Sequence, residues 1–345
     1  RGHRAGSGPT AHHHKGRPGG AHPGAGRFGA YGGLTCILAE TLDRPHVEEA
    51  LRSRRFYATT GHRCLLETTV VTPDGRTAAM GEVAAAGAGA PLLRVRYAGT
   101  GPVERIEVRN GLKTIHVARP YGARDAGRRI KILWSGAEVR GRARMTVWDG
   151  SLRVTGNRIV ETVPINFRNP ERPLTPHGRN GLAWSSVTTG GAVGVILTLA
   201  EPRDGEIRLE TTQRSLRMAV RSARVAARTW DCGGLRKKIE ISRLPDRPAP
   251  PDFAFELPLA ELGPGDNPVY VCAVQEDGHL AWSSPIYLTT PAAPRRRPSE
   301  AARAPSAYSE SRTTTRLPAS DAERPSSTIA AAAPFASALA ANSRP

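Results

Sequence analysis

Between residues 64 and 290 the chain repeats one pattern. Short runs of alternating apolar and polar residues are broken every few positions by Gly, Pro, Asn-Gly or Asp-Gly. A period of two places every second side chain on one face of a strand, and punctuation this dense leaves no room for long helices. Leu93, Val95 and Tyr97 alternate with Arg94 and Arg96. Ile106 and Val108 alternate with Arg105, Glu107 and Arg109, and Asn110-Gly111 then predicts a hairpin turn. Asp149-Gly150 predicts a second hairpin, between Met145–Trp148 and Leu152–Val154. Further strands are expected at Ala192–Leu199, Glu206–Thr211, Lys238–Ser242, Phe253–Leu257 and Val269–Gln275. The fold class that follows is mostly β with a small α/β part, its main body an antiparallel β-sandwich-like domain.

Residues 1–63 differ in texture. Leu34–Ala39 and Phe56–Thr60 read as strands. Between them Pro45 suits a first helical turn, and Val47, Ala50 and Leu51 form an apolar stripe. Glu48 and Arg52 have the favourable four-residue spacing. Loop, strand, helix, strand is a piece of α/β architecture too small to close a core alone. Residues 291–345 are rich in Pro, Ala, Ser, Thr and Arg, with few large apolar residues, and are expected to be disordered. The expected domains are therefore 1–63, 64–290 and 291–345.

No run of 18 apolar residues is present, so no membrane-spanning helix is written in the sequence. The 36 Gly and 29 Pro show no three-residue period, which excludes collagen. The formal charge is +18. Residues 1–27 hold five bases and no acid, and the last 56 residues hold eight Arg against four acids. The remaining +9 lies in 262 residues, a dilution that argues against nucleic acid as the partner. Cys36, Cys64, Cys232 and Cys272 include no CxxC pair, which excludes a zinc ribbon or thioredoxin motif; Cys36 and Cys272 read as small core residues. No signal-peptide core is visible, and the compartment is not decided.

Three motifs invite chemistry. His12-His13-His14 precedes Lys15-Gly16-Arg17-Pro18-Gly19-Gly20. On an extended segment His12 and His14 point to one side, as two metal ligands would, whereas a catalytic zinc wants about three protein ligands and a water. A solvated His-rich loop is the competing reading. The glycine series from Gly16 to Gly33 lacks P-loop order. Asp277, His279 and Ser283 are too close in sequence for a triad and lack a nucleophile elbow, so they read as a hairpin. Leu182–Ser186 recurs as Leu280–Ser284, without matching surroundings.

Together Lys15–Gly19, His22–Ala25, Phe28–Cys36, Glu49–Arg55, Tyr57–Gly61, Asn267–Val271 and Gln275–Tyr287 resemble a bacterial family of unknown function. Its catalytic part is similar to the PHP hydrolases, the polymerase and histidinol-phosphate phosphatase superfamily. The resemblance covers about residues 10–290. It implies a distorted β/α barrel with two or three divalent metals, Zn or Mn, at its strand ends. It implies that the last metal motif, Asp-x-His, sits just before the Lys-Gly-Arg-Pro-Gly run. That places His14 on the histidine and His12 on the aspartate, where imidazole replaces a carboxylate and removes a bridging oxygen. The other metal motifs of the family have no counterpart here, so residues 1–63 would be the C-terminal remnant of the barrel.

The implied function is a metal-dependent hydrolase of the phosphoesterase kind acting on a small anionic substrate, with Lys15 and Arg17 offsetting its charge and metal-bound water as nucleophile. This polypeptide alone is expected to be inactive, with the missing barrel portion as a possible partner. The alternative is a β-sandwich binding or interaction module, for glycan, peptide or a partner domain, without catalysis. Exposed Trp134, Trp148, Trp184, Trp230 or Trp282 would favour glycan.

Overall fold

Alternation becomes strands because one face of each run is buried. In Leu92–Ala98 the residues Leu93, Val95 and Tyr97 are buried and the two arginines between them are exposed. The computed structural model describes residues 33–141, 144–167 and 169–291. Among them the protein is mostly β, built of open sheets whose pairings are antiparallel except one, Ile286–Thr290 with Val83–Ala85.

Among the described residues the β-rich stretch holds two large cores and a small cluster of Ile165, Ile196 and Leu244. The first lies between an eight-stranded and a four-stranded sheet. The eight-stranded sheet is organised on Gly265–Gln275. One side of this strand pairs with Val103–Asn110; the other meets the returning chain, first Leu280–Ser283 and then Ile286–Thr290. The four-stranded sheet runs Asp252–Pro258, Leu92–Ala98, Leu65–Val71, Thr77–Ala79. Leu66, Val70 and Leu93 of one sheet share a core with Ile106, Val271 and Leu288 of the other.

The second core is nested inside the first in sequence, within residues 126–245. One five-stranded sheet carries Ile130, Ile132, Ile239 and Ile241, and the other carries Leu152, Val154, Ile207 and Leu209. Trp134 and Trp184 stack in this core at 4.5 Å. Trp148 closes it, with its indole N–H donating to Thr188 Oγ1 at 2.8 Å. We call the first pair of sheets the outer body and the nested pair the inserted body.

The expected strand, helix, strand order is present as Leu34–Ile37, Arg44–Arg52 and Phe56–Thr59. Asp43 caps the helix by accepting from the His46 amide at 3.0 Å, and Pro45 lies in its first turn. Ala50 is buried, but Leu51 is exposed, so the apolar stripe is narrower than expected. The two strands are antiparallel neighbours and extend the eight-stranded sheet through Leu280–Ser283. Consecutive strands of a β/α barrel run parallel, so the pairing seen here is not that of a barrel unit.

The Asn110-Gly111 hairpin forms as expected. The Asp149-Gly150 hairpin does not. Thr146–Val147 pairs with Val187–Thr188, while Gly150–Thr155 pairs with Gly181–Trp184 and Glu206–Thr211. The dipeptide serves another need: Asp149 Oδ1 accepts from the Ser186 amide at 3.1 Å. A Cβ on Gly150 would lie 2.2 Å from the Glu210 carbonyl oxygen, so glycine is required for close strand approach rather than for a turn.

Candidate functional site

Two sequence blocks more than 200 residues apart form one strand pair. Tyr57 stands opposite Ser283, Ala58 opposite Trp282 and Thr59 opposite Ala281. The pair is sealed at its end by Thr60, whose amide donates to the Leu280 carbonyl at 2.9 Å and whose Oγ1 lies 3.1 Å from His279 Nδ1. Ser283 is buried, and its Oγ accepts from the Val271 amide at 3.0 Å. That is a structural role, consistent with reading this segment as a hairpin.

A buried polar chain runs from this hairpin across to the facing sheet. Gln275 satisfies its neighbours in one orientation of its amide. Oε1 then accepts from the Thr100 amide at 3.1 Å and from the Tyr97 hydroxyl at 2.7 Å, and Nε2 donates to the Asp277 carboxylate at 3.2 Å. With its proton given to Gln275, the Tyr97 hydroxyl accepts from His62 Nε2, 2.9 Å away. His62 Nδ1 is then an unprotonated acceptor, buried without a partner. Its ring lies 4.9 Å from that of His279. Burial, with the second imidazole adding to it, pushes the His62 pKa down to about 4, against a smaller opposing pull from Asp277. His62 is held neutral, which suits a group that ties two sheets together.

The outer body also carries an open cleft of about 590 Å³. Leu38, Met80, Val95 and Phe255 give it an apolar wall, and Arg55, Glu67, Arg94, Arg96 and Glu256 give it charge. Arg94 is held by Glu256 at 2.9 Å and Arg96 faces Glu67 at 3.6 Å. Among the described residues the carboxylate that Arg55 reaches is that of exposed Glu49, at 3.6 Å. Arg55 Nε and Thr68 Oγ1, both in the cleft wall, are buried without a partner. An unsatisfied buried polar atom costs about 1–3 kcal/mol, and a ligand in the cleft that reached these two atoms would recover part of it. Volume and lining fall within the range of small-molecule and peptide sites.

The sequence-derived site residues His12, His14, Lys15 and Arg17 lie outside the described residues, as does the expected tail beyond Pro291. Among the described residues no group of three or more His, Cys, Asp or Glu is placed to hold a metal ion. The four cysteines are free; Cys272 is buried and Cys36 packs against the outer core, as their apolar neighbours suggested. No tryptophan is exposed: Trp134, Trp148 and Trp184 are buried, and Trp230 and Trp282 half-buried. No fully exposed Trp platform of the kind that would favour glycan is present, though Trp230 and Trp282 keep part of their surface. His116 is exposed on its strand. The cleft escaped sequence reasoning because its lining is drawn from six separated segments, which were read one by one as strands or as a quoted block and not as one surface. No helix of the described residues is long and apolar enough to cross a membrane. No protein-family profile, curated protein or solved structure matches this chain.

Proposed function

We propose that the described residues act as a β-sandwich binding module, with the cleft between Leu38, Arg55, Met80 and Phe255 as its binding site. The observation that carries this reading is the cleft itself. It has ligand-sized volume, an apolar wall and an arginine whose one carboxylate partner among the described residues, Glu49, is solvent-exposed. The ligand it suits has an apolar body against Leu38, Met80 and Phe255 and an acceptor group for Arg55. The test is a ligand-observed fragment screen on the whole chain and on Ala254→Trp, which fills the cleft. Hits that disappear in Ala254→Trp support the module. Hits that survive it unchanged, or a screen with none, would overturn the reading.

The hydrolase reading is a separate proposal, carried by the sequence resemblance and by His12, His14, Lys15 and Arg17. The strand pair Tyr57–Thr59 with Ala281–Ser283 supports it only in uniting two of the resembling blocks. Metals would supply hydroxide near neutral pH, and His12 and His14 would be two of their ligands. Metal analysis with phosphatase and phosphodiesterase screens decides it. This polypeptide alone is expected to be inactive; stoichiometric metal with turnover abolished by His14→Ala would contradict that.

A further inference from the structure

The charge of the chain is divided sharply between the two bodies. Residues 126–245, the inserted body, hold 22 Lys and Arg against 10 Asp and Glu, a net +12. The flanking residues that build the outer body, 33–125 and 246–291, hold 14 against 17, a net −3. Two thirds of the formal +18 thus belongs to one nested body.

At the far end of that body exposed charge and exposed aliphatic surface coincide. The strands Ala126–Ala137 and Leu235–Pro245 are joined to the outer body at their Ala126 and Pro245 ends and pair at Ala137 and Leu235 at the other. Hydrogen bonds draw the loops of this far end together. The Glu138 amide donates to the Arg144 carbonyl at 3.2 Å, and Gln213 Nε2 donates to the Val147 carbonyl at 3.0 Å. Arg214 donates to the Asp231 carbonyl at 2.7 Å, and Lys237 Nζ reaches Gln213 Oε1 at 3.1 Å while ion-pairing with Glu138.

Four arginines, Arg140, Arg144, Arg214 and Arg236, are exposed at this end with no carboxylate of the described residues within ion-pair distance. Glu138 is taken by Lys237. Arg236 is turned outward by a break in strand register between Leu235 and Lys238, and holds a left-handed backbone at φ 56°. Beside the arginines, Val139 (47%), Leu235 (41%) and Met145 (39%) are exposed. Exposed aliphatic residues are ordinary singly; three among four uncompensated arginines on one tip are a pattern.

We propose that this tip docks on the surface of an anionic lipid bilayer. The guanidinium groups would take headgroup phosphates, and Val139, Leu235 and Met145 would enter the headgroup–acyl boundary. Charge complementarity selects the occupant: an acidic polymer would use the arginines and leave the aliphatic side chains in water, whereas a bilayer uses both. The site is distinct from the cleft, so neither reading depends on the other.

The experiment is co-sedimentation of the full chain with vesicles of equal parts phosphatidylglycerol and phosphatidylcholine, and with vesicles of phosphatidylcholine alone. Binding is expected to the mixed vesicles only, and to weaken steeply as salt shortens the Debye length to about 3 Å at 1 M. Arg140→Glu with Arg236→Glu should lower binding roughly tenfold or more. Val139→Asp with Leu235→Asp, which leaves every arginine in place, should lower it as well. Circular dichroism and thermal unfolding of both variants keep a folding defect from passing as a binding defect. Absence of binding to mixed vesicles would overturn the proposal. So would vesicle binding that survives both variants, or binding to heparin or RNA that ignores Val139→Asp with Leu235→Asp while vesicles are not bound.

Discussion

Lys131 Nζ donates to Glu104 Oε2 at 2.6 Å, and both side chains are sealed from solvent. Glu104 belongs to the outer body and Lys131 to the inserted one. A second buried pair lies beside the first, with Arg129 gripping Glu276 through both guanidinium nitrogens at 2.6 and 3.4 Å. Burial pushes the Glu104 carboxyl up, but the Lys131 and Arg105 charges outweigh it and hold it at about 2. These contacts fix how the nested body is seated.

Breaking one partner of this pair leaves an uncompensated buried charge. Glu104→Gln or Lys131→Met alone is expected to cost about 3–5 kcal/mol in urea unfolding. The double change Glu104→Met with Lys131→Met should recover most of that loss, because desolvation and attraction are removed together. Additive losses in the double variant would show that the pair is not a unit.

His62 makes stability depend on pH. Its folded pKa, about 4, lies below the unfolded value of 6.5, so the unfolded state binds more protons between these limits. The contribution is therefore full above pH 6.5 and is lost progressively as pH falls toward 4. About 1–3 kcal/mol is expected to disappear across that window, less in His62→Gln, which cannot titrate. Unfolding midpoints measured at pH 7, 5.5 and 4.5 check this; equal slopes in the two proteins would refute it.

Gly150→Ala tests the close approach of two strands. With Glu210 carbonyl oxygen 2.2 Å from the new Cβ, the strands must separate at a cost of about 1–3 kcal/mol. Gly191→Ala, where the added carbon meets nothing within 4 Å and the backbone is not left-handed, should be nearly neutral. Comparable losses at both sites would argue against steric approach as the reason for glycine at 150.

Arg55→Gln tests whether the cleft needs its cation. Fragments with a carboxylate should lose affinity roughly tenfold, about the value of one charge-assisted hydrogen bond, while purely apolar fragments keep theirs. Competition titrations on the two proteins distinguish these outcomes.

Much of the fold was legible in the residues. Ala192–Leu199 and Glu206–Thr211 have the expected bounds, because alternation and turn residues act locally. The helix start at Pro45 and the Asn110-Gly111 hairpin are likewise local. Nesting was not legible. Val103–Asn110 pairs with Gly265–Gln275, and nothing in either segment records that a second core lies between them. Asp149-Gly150 misled for a related reason, since the glycine answers to Glu210 across the sheet. The charge was misread as dilute because the sequence does not mark where one body ends; divided at residues 126 and 245 it is concentrated.

Methyl-detected NMR of the whole chain, titrated with the fragment mixture that binds best, tests the binding-module account most directly. The account predicts that resonances of Leu38, Met80 and Val95 shift in a saturable way while those of the inserted core, such as Ile132 and Leu209, stay in place. Saturable shifts confined to the inserted body, or no saturable shift at the cleft methyls, would contradict it.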